Sequence, residues 1–87
     1  MSFDVRLKKS AEKELRKLKV SLFIKIDEII LGLIKDPRPE GALKIQGEDN
    51  LFRIRYGDYR IIYEIDYKSK VIEVLAIVNR RDAYKKK

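Results

Sequence analysis

The chain has 87 residues, no cysteine or histidine, and a formal net charge of +7 from 21 Lys and Arg against 14 Asp and Glu. That length allows one domain, 1–87, and leaves no room for a second. The missing residue types exclude a thiol nucleophile, an imidazole acid or base and an ordinary zinc site. The positive balance implies attraction to a polyanion, whether nucleic acid, an acidic protein or an anionic surface. No apolar run is long enough to span a membrane, and Met1 to Arg6 lacks the basic-then-apolar layout of a signal peptide, so a cytoplasmic location is expected.

Phe3, Val5 and Leu7 alternate with Asp4 and Arg6, which predicts an opening strand with one buried face. Ser10 offers a hydroxyl N-cap, and Ala11, Leu15 and Leu18 recur at helical spacing, predicting a first helix to about Lys19. From Ser21 a second helical stripe carries Phe23, Ile26, Ile30 and Leu33, and Asp36-Pro37 disfavours its continuation. The two make a helical hairpin whose stripe is expected to pack on a sheet. Pro37, Pro39 and Gly41 mark a loop, and Ala42 to Gln46 is short enough for a linking strand.

Residues 51–66 organise the remainder. Two runs rich in aromatic and β-branched residues flank Gly57-Asp58, and glycine in the first central position is the signature of a two-residue II′ turn. If Tyr56 faces Tyr59, then Ile54 faces Ile61 and Phe52 faces Tyr63 on a core side, because side chains alternate with period two. The other side then collects Arg53, Arg55 and Arg60, with Arg55 directly opposite Arg60 in a non-hydrogen-bonded pair. Like charges so placed repel. Either Glu64 and solvent offset the repulsion, or the guanidinium groups wait for an anion whose oxygens they can grip bidentately.

Lys68-Ser69 turns the chain into a last strand over 71–79. With a two- or four-residue loop, Ile72, Val74, Ala76 and Val78 join the core face, leaving Val71, Glu73, Leu75 and Ile77 on the other. The predicted class is α+β: an N-terminal strand, a two-helix hairpin, then a three- to four-stranded antiparallel sheet with helices on one face. The uncovered face bears the arginines, where a phosphodiester backbone could be tracked and aromatic groups could stack on bases.

Three segments resemble the RelE/ParE toxin superfamily of toxin–antitoxin pairs: Leu43 to Gly47, Phe52 to Ile65, and Asn79 to Tyr84. The Arg-x-Gly-Asp-Tyr-Arg pattern of 55–60 joined to Arg80-x-x-x-Tyr84 is the specific part. The resemblance implies a toxin held inactive by a RelB-like antitoxin with a flexible, often acidic segment, in a heterodimer or heterotetramer. RelE-like members cut messenger RNA on the ribosome through the 2′-hydroxyl, with no metal or other cofactor. By the same resemblance Arg60 holds the scissile phosphate, Arg80 stabilises the transition state or protonates the leaving oxygen, and Tyr84 stacks on or orients the substrate. Arg53, Arg55, Lys44 and Arg81 are the implied substrate-binding residues. Arg53 and Arg55 stand where some RelE proteins carry lysines, and an arginine cannot act as a base; Glu40 is the nearest carboxylate for that role. Val78-Asn79 replaces a Gly-His pair frequent in the family. Two other readings are a ParE-like inhibitor of DNA gyrase that cuts nothing, and a member serving only as an antitoxin partner or RNA-binding module.

Overall fold

The computed structural model describes residues 2–79 of the chain. Their elements are β1 (Asp4–Leu7), α1 (Lys9–Arg16), α2 (Val20–Gly32), β2 (Leu43–Lys44), β3 (Leu51–Tyr56), β4 (Tyr59–Asp66) and β5 (Val71–Asn79). The strands form one sheet in the order β1-β5-β4-β3-β2. Strands β2 to β5 run antiparallel as predicted, and β1 joins the far edge parallel to β5, with Val5 beside Ile72 and Leu7 beside Val74. A parallel pair needs a long crossover, and here the helical hairpin lies within it.

Helix α1 begins two residues earlier than a Ser10 cap requires. Lys8 takes the N-cap position with no side-chain hydrogen bond, and Ser10 lies inside the first turn. The helix ends at Arg16, short of Lys19, and only a brief connection separates it from α2. Glu12 and Arg16 pair across one turn at 3.0 Å on the solvent side. Ala11 and Leu15 of α1, with Ile26, Ile30 and Leu33 on or just past α2, are buried against Phe52, Ile54, Ile61, Tyr63, Ile65, Ile72, Val74 and Ile77 of the sheet. This apolar layer is the main favourable term in folding and fixes which sheet face is left open.

The turn between β3 and β4 is the predicted type. Gly57 has φ +58° and Asp58 is not among the positive-φ residues, the pattern of a II′ turn. Tyr56 pairs with Tyr59, Arg55 with Arg60, Ile54 with Ile61 and Phe52 with Tyr63, so the predicted register holds along the hairpin.

The last strand departs from expectation. A four-residue loop sets Asp66 opposite Val71, and Ile72 and Val74 are buried as predicted. Between Ile62 and Tyr63 the register then shifts: Tyr63 pairs with Val74 but Ile62 pairs with Ala76, leaving Leu75 as an extra residue on β5. A bulge of this kind exchanges the faces of every later side chain. Ile77 therefore enters the core opposite Ile61, at 3% exposure, while Ala76 and Val78 turn to the open face beside Ile62 and Arg60.

One polar bond ties the loop after α2 to the sheet. The Tyr63 hydroxyl donates to the Pro37 carbonyl at 2.7 Å, and the Tyr63 ring stacks on Phe52 with centroids 5.8 Å apart. On the same ring of Phe52 lies the Arg38 guanidinium, 5.1 Å from the centroid. Burial pushes the Tyr63 hydroxyl up to about 12, with Tyr67 and Asp36 adding to the effect and Arg38 opposing it. At the other end, Asp66 accepts from the amides of Lys68 and Ser69 and shapes the β4–β5 turn. The Ser69 amide leads in holding its carboxyl below the usual carboxylate range.

Candidate functional site

Paired residues of neighbouring strands share a face, so the register maps the open side of the sheet row by row. Arg55, Arg60 and Val78 form the row nearest the II′ turn. Leu43, Arg53, Ile62 and Ala76 form the next. Beyond the bulge come Leu51, Glu64, Glu73 and Arg6, and then Asp66, Val71 and Asp4. The face is basic at the hairpin tip, apolar in the middle and acidic at the opposite end.

The alternation of β3 and β4 alone brings Arg53, Arg55 and Arg60 together, because their neighbours Phe52, Ile54 and Ile61 must be buried. Arg55 is exposed, while Arg53 and Arg60 are half-buried. The Nε of Arg60 is shielded from solvent and has no hydrogen-bond partner among the described residues. A buried donor left unmade costs about 1–3 kcal/mol, so such a group calls for a functional explanation. Nor, among the described residues, does a carboxylate relieve the cluster. Glu64 lies diagonally across from Arg53, within reach of long side chains, yet the ion pairs among the described residues are Glu12–Arg16 and Glu14–Lys17, both on α1 or its cap. Glu64 instead stands directly opposite another glutamate, Glu73. Among the described residues the guanidinium groups stand uncompensated over an apolar floor, suited to an anion with several oxygens.

Other predicted residues fall elsewhere. Lys44 pairs with Phe52 on edge strand β2, which points it to the helix side, away from the arginine cluster. Its neighbour Leu43 takes the place beside Arg53. Glu40 is exposed in the loop before β2, with two strand spacings between that edge and Arg60. Strand tyrosines are absent from the open face: Tyr56, Tyr59 and Tyr63 all pack with the core, so the described part of the face offers no ring for stacking. Arg80, Arg81 and Tyr84 lie outside the described residues. Sequence reasoning missed Ala76 and Val78, which floor the cluster only because of the bulge, and the opposed pair Glu64–Glu73. Among the described residues no three carboxylates gather closely enough to hold a metal ion, and no helix is long and apolar enough to cross a membrane.

Residues 5–84 match the family model described as the ParE toxin of the type II toxin–antitoxin system parDE. The chain belongs to the RelE/ParE toxin superfamily. RelE1 of Methanocaldococcus jannaschii is 31% identical over 88 residues, covering 98% of both chains. The archaeal RelE–RelB complex of Pyrococcus horikoshii contains a chain 32% identical, with a TM-score of 0.79 over 92% of this chain and 97% of that one. Isolated RelE of Escherichia coli, at 21% identity and TM-score 0.80 with 97% of each chain covered, shares the fold. The protein is thus a RelE-like toxin of a type II toxin–antitoxin system.

Proposed function

We propose that this RelE-like toxin is a ribosome-dependent endoribonuclease that cleaves translated messenger RNA without a metal. The observation that carries the reading is the convergence of Arg53, Arg55 and Arg60 on one open face, with the Arg60 Nε unpartnered. In the reaction, the 2′-oxygen of one nucleotide attacks the adjacent phosphorus, and the bond to the 5′-oxygen breaks, giving a cyclic phosphate and a free 5′-hydroxyl. Arg60 grips the scissile phosphate, and Arg53 and Arg55 bind the flanking backbone. Arg80 stabilises the charge that develops on the phosphorane-like transition state or gives a proton to the leaving oxygen, with Arg81 beside it in sequence as a further phosphate contact. Tyr84 orients the substrate base. Rate enhancement rests on charge stabilisation and on ordering of the message by the ribosome. Glu40, exposed before the β2 edge, is the nearest carboxylate candidate to take the 2′-proton.

The partner in the resting state is an antitoxin whose acidic segment covers the arginine face, in keeping with the RelB partner of the Pyrococcus horikoshii toxin. Expression of the toxin followed by primer extension on translated messages tests the activity, and codon-phased cuts are expected. Arg60→Ala and Arg80→Ala should each abolish growth arrest while leaving the fold intact; full toxicity in both variants would reject the assignment. The match to a ParE model and the absence of histidine favour a second reading, a gyrase inhibitor that cuts nothing. DNA damage induction with intact messages is the outcome that would select it.

A further inference from the structure

The open face is not uniformly basic, and its polarity bears on how much RNA it can hold. Along β4, Arg60 and Glu64 are four residues apart, or about 13 Å at the usual strand rise. Across that interval the rows change from Arg55–Arg60 to Glu64–Glu73, each a like-charged pair set directly opposite. The acidic row lies in a shallow depression that also holds Arg6, Asn50, Asp66 and Ser69. Arg6 is the one cation in the row's register, and Lys68 and Lys70 lie beyond it in the turn.

From this juxtaposition we infer that Glu64 and Glu73 bound the RNA footprint, so that the face accepts a short anionic segment at the hairpin tip and repels the chain that continues toward the β4–β5 turn. The inference rests on the RNA-binding reading above and adds specificity-determining residues to it. Successive phosphates of an extended strand lie roughly as far apart as two strand residues, so a backbone gripped by Arg60 and running down the sheet meets the glutamates within two or three nucleotides. Two carboxylates there raise the cost of every added phosphate on that path. The binding segment must stop or leave the sheet.

Salt dependence counts the phosphates in contact, independently of how many binding registers a longer strand offers. Fluorescence anisotropy of the purified toxin with non-cleavable 2′-O-methyl oligonucleotides of about four and about twelve nucleotides measures that slope, expected near 2 for the roughly three phosphates of the short strand at ~0.7 per phosphate. The slopes for the two lengths should agree in the wild type. In Glu64→Lys/Glu73→Lys the slope for the longer strand should rise by about 1.4, with the short one unchanged. Glu64→Gln/Glu73→Gln removes the repulsion without adding cations and should tighten the longer strand about threefold at low salt, leaving the short one unaffected; it keeps the test intact if the lysine pair unfolds the protein. A wild-type slope already larger for the longer strand, or no change in a folded variant, would overturn the footprint limit alone. Failure of both lengths to bind would remove the RNA-binding reading and this inference with it.

Discussion

Arg60→Met should make the protein more stable and less toxic. The guanidinium opposes Arg55 across a non-hydrogen-bonded pair, and at about 6 Å in a water-like dielectric that repulsion is worth ~0.7 kcal/mol. Its Nε is shielded and unpartnered, which costs about 1–3 kcal/mol more. Methionine keeps an unbranched stem over Ile62 and Val78 while removing the repelling charge and the unpartnered donor together. A net gain of about 2 kcal/mol follows, and since each kcal/mol moves the midpoint by roughly 4–8 °C in a domain of this size, the rise should be on the order of 10 °C. Thermal and urea unfolding followed by circular dichroism at low and high salt would measure it. Arg55→Gln is the internal comparison, because it relieves only the repulsion and its gain should shrink as salt screens the pair. An Arg60→Met midpoint at or below that of the wild type would refute the claim that this face holds an unrelieved cost.

Two further perturbations test the scaffold. Gly57→Ala meets open space but must adopt φ +58°, so it should cost about 1–2 kcal/mol in urea unfolding through backbone strain alone. Tyr63 titrates near 12 in the folded protein against 10.0 when unfolded, so the neutral hydroxyl is favoured by folding. Its contribution is complete below pH 10 and is lost as pH rises toward 12, an effect of roughly 2–3 kcal/mol. Tyr63→Phe should lower stability at neutral pH by about 1–2 kcal/mol, through loss of the bond to Pro37, and flatten the alkaline decline in unfolding midpoint.

Much of the site was legible because a single turn dictates it. Gly57-Asp58 fixes the hairpin register, and the burial of Phe52, Ile54 and Ile61 then forces Arg53, Arg55 and Arg60 to the opposite side. The bulge was not legible, since Ile77 and Val78 are equally apolar and either could fill the place opposite Ile61. Alternation in β1 announced one buried face but said nothing of its partner, so the parallel edge pairing with β5 had no signal. The Ser10 cap failed because a cap preference of about 1 kcal/mol yields to the placement of Ala11 and Leu15 in the core. The side taken by Lys44 was not legible, because a strand of two residues has too little alternation to reveal it.

The surplus residue at position 75 makes β5 one residue longer than the partner strand beside it requires. Removing Leu75 would leave Val74 opposite Tyr63 and Ala76 opposite Ile62 as successive pairs of a regular ladder, with Ile77 still in the core and Val78 still beside Arg60. Excision there should keep both the core and the arginine row, at the cost of the local bend alone. Genetic tolerance at this point of the strand is governed by counting.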